Sequence, residues 1–179
     1  MNEKNIALLC TGRLSHHDQG ISFYVGKYIE SNYSFTPSID IINADVEGMS
    51  LLNIFMEYEE VIILDAIGVD DTPGSIYHFP AREFRNLSSD GNMDDTNPLG
   101  CLNILEARGE LLPVVSLLAI VPDNIDAGVG LSPILKHSVE AYALNIVKTV
   151  EKQGVSYEVH DKKRTIDEII SSFTSSISL

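Results

Sequence analysis

The residue best placed to do chemistry lies in the stretch 61–79. Four consecutive apolar residues, Val61, Ile62, Ile63 and Leu64, lead into a carboxylate, Asp65. A loop rich in Gly, Asp and Pro follows, and a second short alternating run begins at Ser75. An unbroken apolar run reads as a strand buried on both faces, and in open α/β sheets ligands gather beyond the carboxyl ends of such strands. A second polar cluster is His16, His17 and Asp18. Two imidazoles and a carboxylate can ligate a transition metal. Adjacent histidines cannot easily both face one ion, so the competing reading is a solvated loop, or one in which Asp18 caps the next helix. His78, His137 and His160 stand alone and read as structural.

Other chemistries lack their signatures. Gly12 and Gly20 bracket the first polar loop, but no Gly-Lys-Ser/Thr follows, and Arg13 comes too early to replace a phosphate-binding lysine. The spacing is not the dinucleotide-binding one either, so a flavodoxin-like nucleotide binder is the weakest reading. The chain has no Gly-x-Ser-x-Gly, no His-Glu-x-x-His and no Cys/His protease pattern. The residues alone therefore place an acidic crevice around Asp65 and assign it no reaction.

The surrounding pattern must position that crevice. Strands are predicted over 5–10, 39–42, 60–65, 75–79 and 114–121, with 75–79 at a sheet edge because Pro73 and Gly74 precede it. Helices are predicted over 20–31, 46–58, 98–108 and 132–152, the last opened by Ser132 as N-cap and Pro133 at the first helical position. Residues 82–96 read as a long exposed loop, 155–162 as one more short strand and 166–173 as a terminal helix. Strand and helix alternate through the first 150 residues, which predicts a three-layer α/β sandwich, a largely parallel twisted sheet with helices on both faces. The loops at the strands' carboxyl ends are then 11–19, 43–45, 65–73 and 122–130.

A chain of 179 residues fits a single α/β domain over 1–179, with 155–179 as a C-terminal extension. Hydrophobic residues make up 44% and charged residues 21%, an ordinary globular balance. The net charge of −14 argues against nucleic acid or an anionic membrane as partner, and suits solubility or a basic protein partner. Cys10 and Cys101 form no Cys-x-x-Cys pair and read as small buried hydrophobes. The short apolar run near the N-terminus is neither a signal peptide nor a membrane helix, so the expected location is the cytoplasm, with no membrane insertion.

Four segments, in order and at compatible spacing, carry a resemblance. Ile63, Leu64, Asp65 and Ala66 are followed by Thr72, Pro73, Gly74, Ser75, Ile76, Tyr77, His78 and Phe79. Gly12 and Leu14 precede Asp18, Gln19 and Gly20. Asn97, Pro98, Leu99 and Gly100 open a helix, and Leu131, Ser132 and Pro133 open the long one. Over roughly residues 5–150 the chain resembles the hydrogenase maturation proteases, endopeptidases that process the large subunit of nickel–iron hydrogenases. The Asp-Ala and Pro-Gly element is the most specific part of the match.

The resemblance implies an endopeptidase that removes the C-terminal extension of a nickel–iron hydrogenase large-subunit precursor after nickel insertion. The implied partner is that precursor. The implied cofactor is none tightly bound: the nickel is borne by the substrate and read by the protease. The family's metal-reading and catalytic set, two acids and a histidine, falls on Gln19, Asp65 and Asn97. Only Asp65 keeps the family's residue; Gln19 stands for an acid and Asn97 for the histidine. A carboxamide is a neutral, weaker donor and cannot act as a general base. Asp18, His17 or His16 would enter the set if the first loop is read out of register. Further departures are Arg13 for an Asn beside Gly12, and Asn43 ahead of a turn at 44–46. The alternative expectation is a non-catalytic hydrogenase assembly or binding protein on the same scaffold.

Overall fold

The computed structural model describes residues 5–44, 49–80, 83 and 98–177. The elements follow in the order β1 (Ile6–Cys10), α1 (Ile21–Asn32), β2 (Tyr33–Thr36), β3 (Asp40–Asn43), α2 (Met49–Glu57), β4 (Glu60–Ala66), β5 (Ile76–Pro80), α3 (Pro98–Ala107), β6 (Val114–Ile120), α4 (Pro133–Glu151), β7 (Ser156–Val159) and α5 (Ile166–Ile177). A one-turn 3-10 helix, His17–Gly20, precedes α1. The main sheet has the order β3-β1-β4-β6-β5. Its first four strands run parallel, and β5 closes the edge antiparallel to β6.

Side-chain alternation along the strands sorts the core into two layers. Ile6, Leu8 and Cys10 of β1, Ile62 and Leu64 of β4, and Leu118 and Ile120 of β6 pack against α1, α4 and α5. Leu9, Val61, Ile63 and Val115 pack on the opposite face, against α2 and α3. The architecture is the mostly parallel, three-layer α/β sandwich expected from the sequence. Cys10 and Cys101 are both buried, and burial pushes the Cys10 thiol up to about 12, so it stays a neutral packing group.

The long helix α4 begins as its sequence requires. Pro133 occupies its first turn, and the Ser132 side chain accepts a hydrogen bond from the Leu135 amide at 3.3 Å. From α4, the buried Tyr142 hydroxyl donates to the Leu118 carbonyl at 2.6 Å and ties this helix to β6.

Two features depart from the sequence reading. Residues 33–36 form a strand that was not expected, and the strand near 155–162 joins it rather than the main sheet. β2 and β7 pair antiparallel as a separate two-stranded ribbon, with Tyr33 opposite Val159 and Thr36 opposite Ser156. Asn32, buried at the end of α1, accepts from the Arg164 amide at 2.7 Å and donates to the Arg164 carbonyl at 3.0 Å. The segment after β7 therefore folds back onto α1, and Ile169 of α5 is buried in the core. The predicted loop over 82–96 and the turn at 45–46 fall outside the described residues, Glu83 excepted. Among the described residues, no helix is long and apolar enough to cross a membrane.

Candidate active site

The connections leaving β1 lead to one side of the sheet and those leaving β4 to the other, because β3 and β6 flank the β1–β4 pair. Such a switch point opens a crevice beyond the strands' carboxyl ends. Here a cleft of about 430 Å³ lies there, lined by residues that include Thr11, Gly12, Arg13, Gln19, Asp65 and Pro98. Asp65 falls in strand register after Val61 and Ile63, on the sheet face that carries α2 and α3.

Thr11 and the β4 backbone hold the carboxylate. The Thr11 hydroxyl donates to Asp65 Oδ2 at 2.8 Å and also lies 3.1 Å from the Leu64 carbonyl, while the Ala66 amide donates to Oδ1 at 2.8 Å. The Thr11 amide donates to the same Leu64 carbonyl at 3.0 Å, and the Ser22 hydroxyl donates to the Thr11 carbonyl. Burial pushes the Asp65 carboxyl up from 3.8 to about 6, against the opposing pull of these two hydrogen bonds to its oxygens. The group is thus an anion above that pH, half-buried and available to a cation. Thr11 was not singled out in the sequence. The signal was a hydroxyl residue directly after a buried strand and before a glycine.

Gly12 allows the loop to close against Asp65. Its φ is +125°, and a Cβ there would sit 2.1 Å from the Gln19 carbonyl oxygen and 3.3 Å from Asp65 Oδ1. The Arg13 amide donates to that Gln19 carbonyl at 3.0 Å. Gly12→Ala is expected to lower stability by roughly 3 kcal/mol, from left-handed strain plus a backbone clash. A urea-unfolding midpoint unchanged in this variant would contradict the assignment.

The first loop is in turn fastened to the loop after β6. The His17 amide donates to the Gly128 carbonyl at 2.8 Å, the Gly128 amide to the Ser15 carbonyl at 2.9 Å, and the Asp18 amide to the Asn124 carbonyl at 3.0 Å. Asp18 is fully buried. Its Oδ2 accepts from the Asp123 and Asn124 amides at 3.0 and 2.8 Å, and its Oδ1 accepts from the Ser132 amide at 2.7 Å.

The structure thus brings Gln19 and Asp65 into one cleft and separates them from the substitutes weighed above. Asp18 is committed to three amides instead of capping α1 or facing Asp65. The His17 ring lies against Gly128, where a Cβ would come within 2.1 Å of its Nε2, and His17 takes the left-handed φ of 39° to reach it. His16 Nδ1 lies 3.0 Å from the Ser15 hydroxyl. Asn97 lies outside the described residues; its chain neighbour Pro98 lines the cleft. Among the described residues, no three His, Cys, Asp or Glu side chains are grouped so as to hold a metal ion.

The fold and the cleft belong to a known class. Residues 23–149 match the family model of HycI, hydrogenase maturation protease, and the chain belongs to that family. It is 23% identical over 154 residues to the hydrogenase 2 maturation protease of Escherichia coli (strain K12), spanning 84% of this chain and 93% of that protein. Among solved structures, the hydrogenase maturating endopeptidase HybD from E. coli superposes with a TM-score of 0.78 at 20% identity, covering 87% of this chain and 98% of that one. The [NiFe] hydrogenase maturation protease HybD from Thermococcus kodakarensis gives 0.60 at 23% identity, covering 81% and 98%. The family is one of endopeptidases. The matched stretch contains Asp65 and Asn97 and begins after Gln19.

Proposed function

We propose that this protein cleaves the C-terminal extension from the large-subunit precursor of a nickel–iron hydrogenase after nickel has been inserted. The observation that carries the reading is the shared cleft of Asp65 and Gln19 at the switch point of a hydrogenase maturation protease fold. Asp65 supplies the anionic contact to the substrate's nickel and Gln19 a neutral oxygen. Asn97, directly before the cleft residue Pro98 in the sequence, is the third residue that the family resemblance assigns. One carboxylate and two carboxamides are too weak a set to extract a divalent ion from water. They suit an ion that arrives already held by the substrate, so the nickel is substrate and no tightly bound cofactor is needed. The acidic surface sets nucleic acid aside, and the reaction belongs in the cytoplasm.

The test is incubation with nickel-loaded and nickel-free precursor, read as the mass of the large subunit. The amides at Gln19 and Asn97 favour a second reading, a non-catalytic partner that binds the precursor. That protein would form a stable complex with an intact precursor in the same incubation.

A further inference from the structure

Among the described residues, Arg13 is the only cation in the lining of the cleft. Its main chain is fastened at both ends: its amide donates to the Gln19 carbonyl at 3.0 Å, and its carbonyl accepts from the His16 amide at 3.2 Å. The residue is nevertheless exposed, and among the described residues its side chain makes no hydrogen bond and no ion pair. The chain carries 26 Asp and Glu against 12 Lys and Arg. In so acidic a protein an exposed cation meets internal carboxylates readily, as the ammonium groups of Lys27, Lys136 and Lys148 do with Glu30, Asp167 and Glu151. A cation that no described carboxylate pairs with, at the cleft and on a fixed main chain, is available to an anion from outside. Its planar fork matches a carboxylate bidentately. It also opposes a bare divalent cation, so whatever enters beside it must bring negative charge of its own.

We propose that Arg13 is a specificity residue that binds a carboxylate of the incoming precursor, either an acidic side chain near the scissile bond or the chain's terminal carboxylate. The proposal rests on the reading of this cleft as the precursor site. The geometry leaves Asp65 to the metal and Arg13 to the peptide.

The experiment measures the dissociation constant of the nickel-loaded precursor for the wild type, Arg13→Gln and Arg13→Lys, with cleavage followed in parallel. Each protein meets three precursors: unaltered, with the acidic residues of its C-terminal extension changed to amides, and with an amidated C-terminus. Arg13→Gln is expected to weaken binding of the unaltered precursor roughly ten-fold, the loss of one charge-assisted contact, with Arg13→Lys in between. In the cleavage arm KM rises and kcat stays within about two-fold. The penalty should vanish with one of the two neutralised precursors, and which one identifies the carboxylate. An Arg13→Gln variant that binds all three precursors as the wild type does, or loses equally on all three, overturns the proposal. Tight binding without cleavage by the wild type would overturn the protease reading and leave the Arg13 comparison intact.

Discussion

Asp65→Asn is expected to cut processing of nickel-loaded precursor by roughly 100-fold or more, and at the same time to stabilise the folded protein at neutral pH. The first effect follows from removing the one carboxylate that the described residues place in the cleft lining. The second follows from linkage. Burial raises the folded-state pKa of Asp65 from 3.8 to about 6, so this group's contribution to stability is fully present below about pH 3.8 and is lost as pH rises through about 6. At about 1.4 kcal/mol per pKa unit, keeping Asp65 ionised at pH 7 costs roughly 2–3 kcal/mol. The amide avoids that cost and keeps the local bonding. Its oxygen can accept from the Ala66 amide, and its NH₂ can donate to the Thr11 hydroxyl, which then turns its proton to the Leu64 carbonyl. Urea unfolding from pH 4 to pH 7 checks this: the wild type should lose stability relative to the variant across that window. Curves that stay parallel would show that Asp65 titrates normally. Cation contact requires the ionised form, so wild-type processing should also decline as pH falls below about 6.

Asp18→Ala is expected to be the most destabilising single change, by roughly 4 kcal/mol. It strips the acceptor from the Asp123, Asn124 and Ser132 amides in a fully buried position. Each buried donor left unsatisfied costs about 1–3 kcal/mol, partly relieved if water enters the void. Asp18→Asn should recover only part of the loss, because its NH₂ is a donor facing donors. The same carboxylate ties the Gln19 loop to the loop after β6, so both variants should also weaken precursor binding. A loss below about 1 kcal/mol in chemical denaturation would refute this role.

These two aspartates show what was legible before the fold was known. Asp65 could be read from position alone: a single charge after a strand-length apolar run has few places to lie in an α/β sheet. Asp18 could be read only as a metal ligand or a helix cap, and it is neither. Its partners are backbone amides more than 100 residues away, and amides leave no mark in the residue types. The place of His17 was hidden for the same reason, since its packing on Gly128 depends on an absent side chain in a distant loop. β2 escaped, and with it the pairing of β7, because β2 is four residues long and its partner lies across the length of the chain. The layers of the main sheet were legible because strand-period and helix-period runs alternate and each has a core to face. Gln19 entered the site only through the family resemblance; nothing in a lone carboxamide announces a cleft.

The central claim is that this protein cuts a precursor whose nickel it reads through Asp65. The most direct test is the mass of a nickel–iron hydrogenase large-subunit precursor after incubation with the wild-type protein, with and without nickel. The account predicts a shortened subunit from the nickel-loaded precursor, an intact one from the nickel-free precursor, and an intact one in both cases with Asp65→Asn. A nickel-loaded precursor that stays intact with the wild type, while an established member of the family shortens it in parallel, would contradict the account.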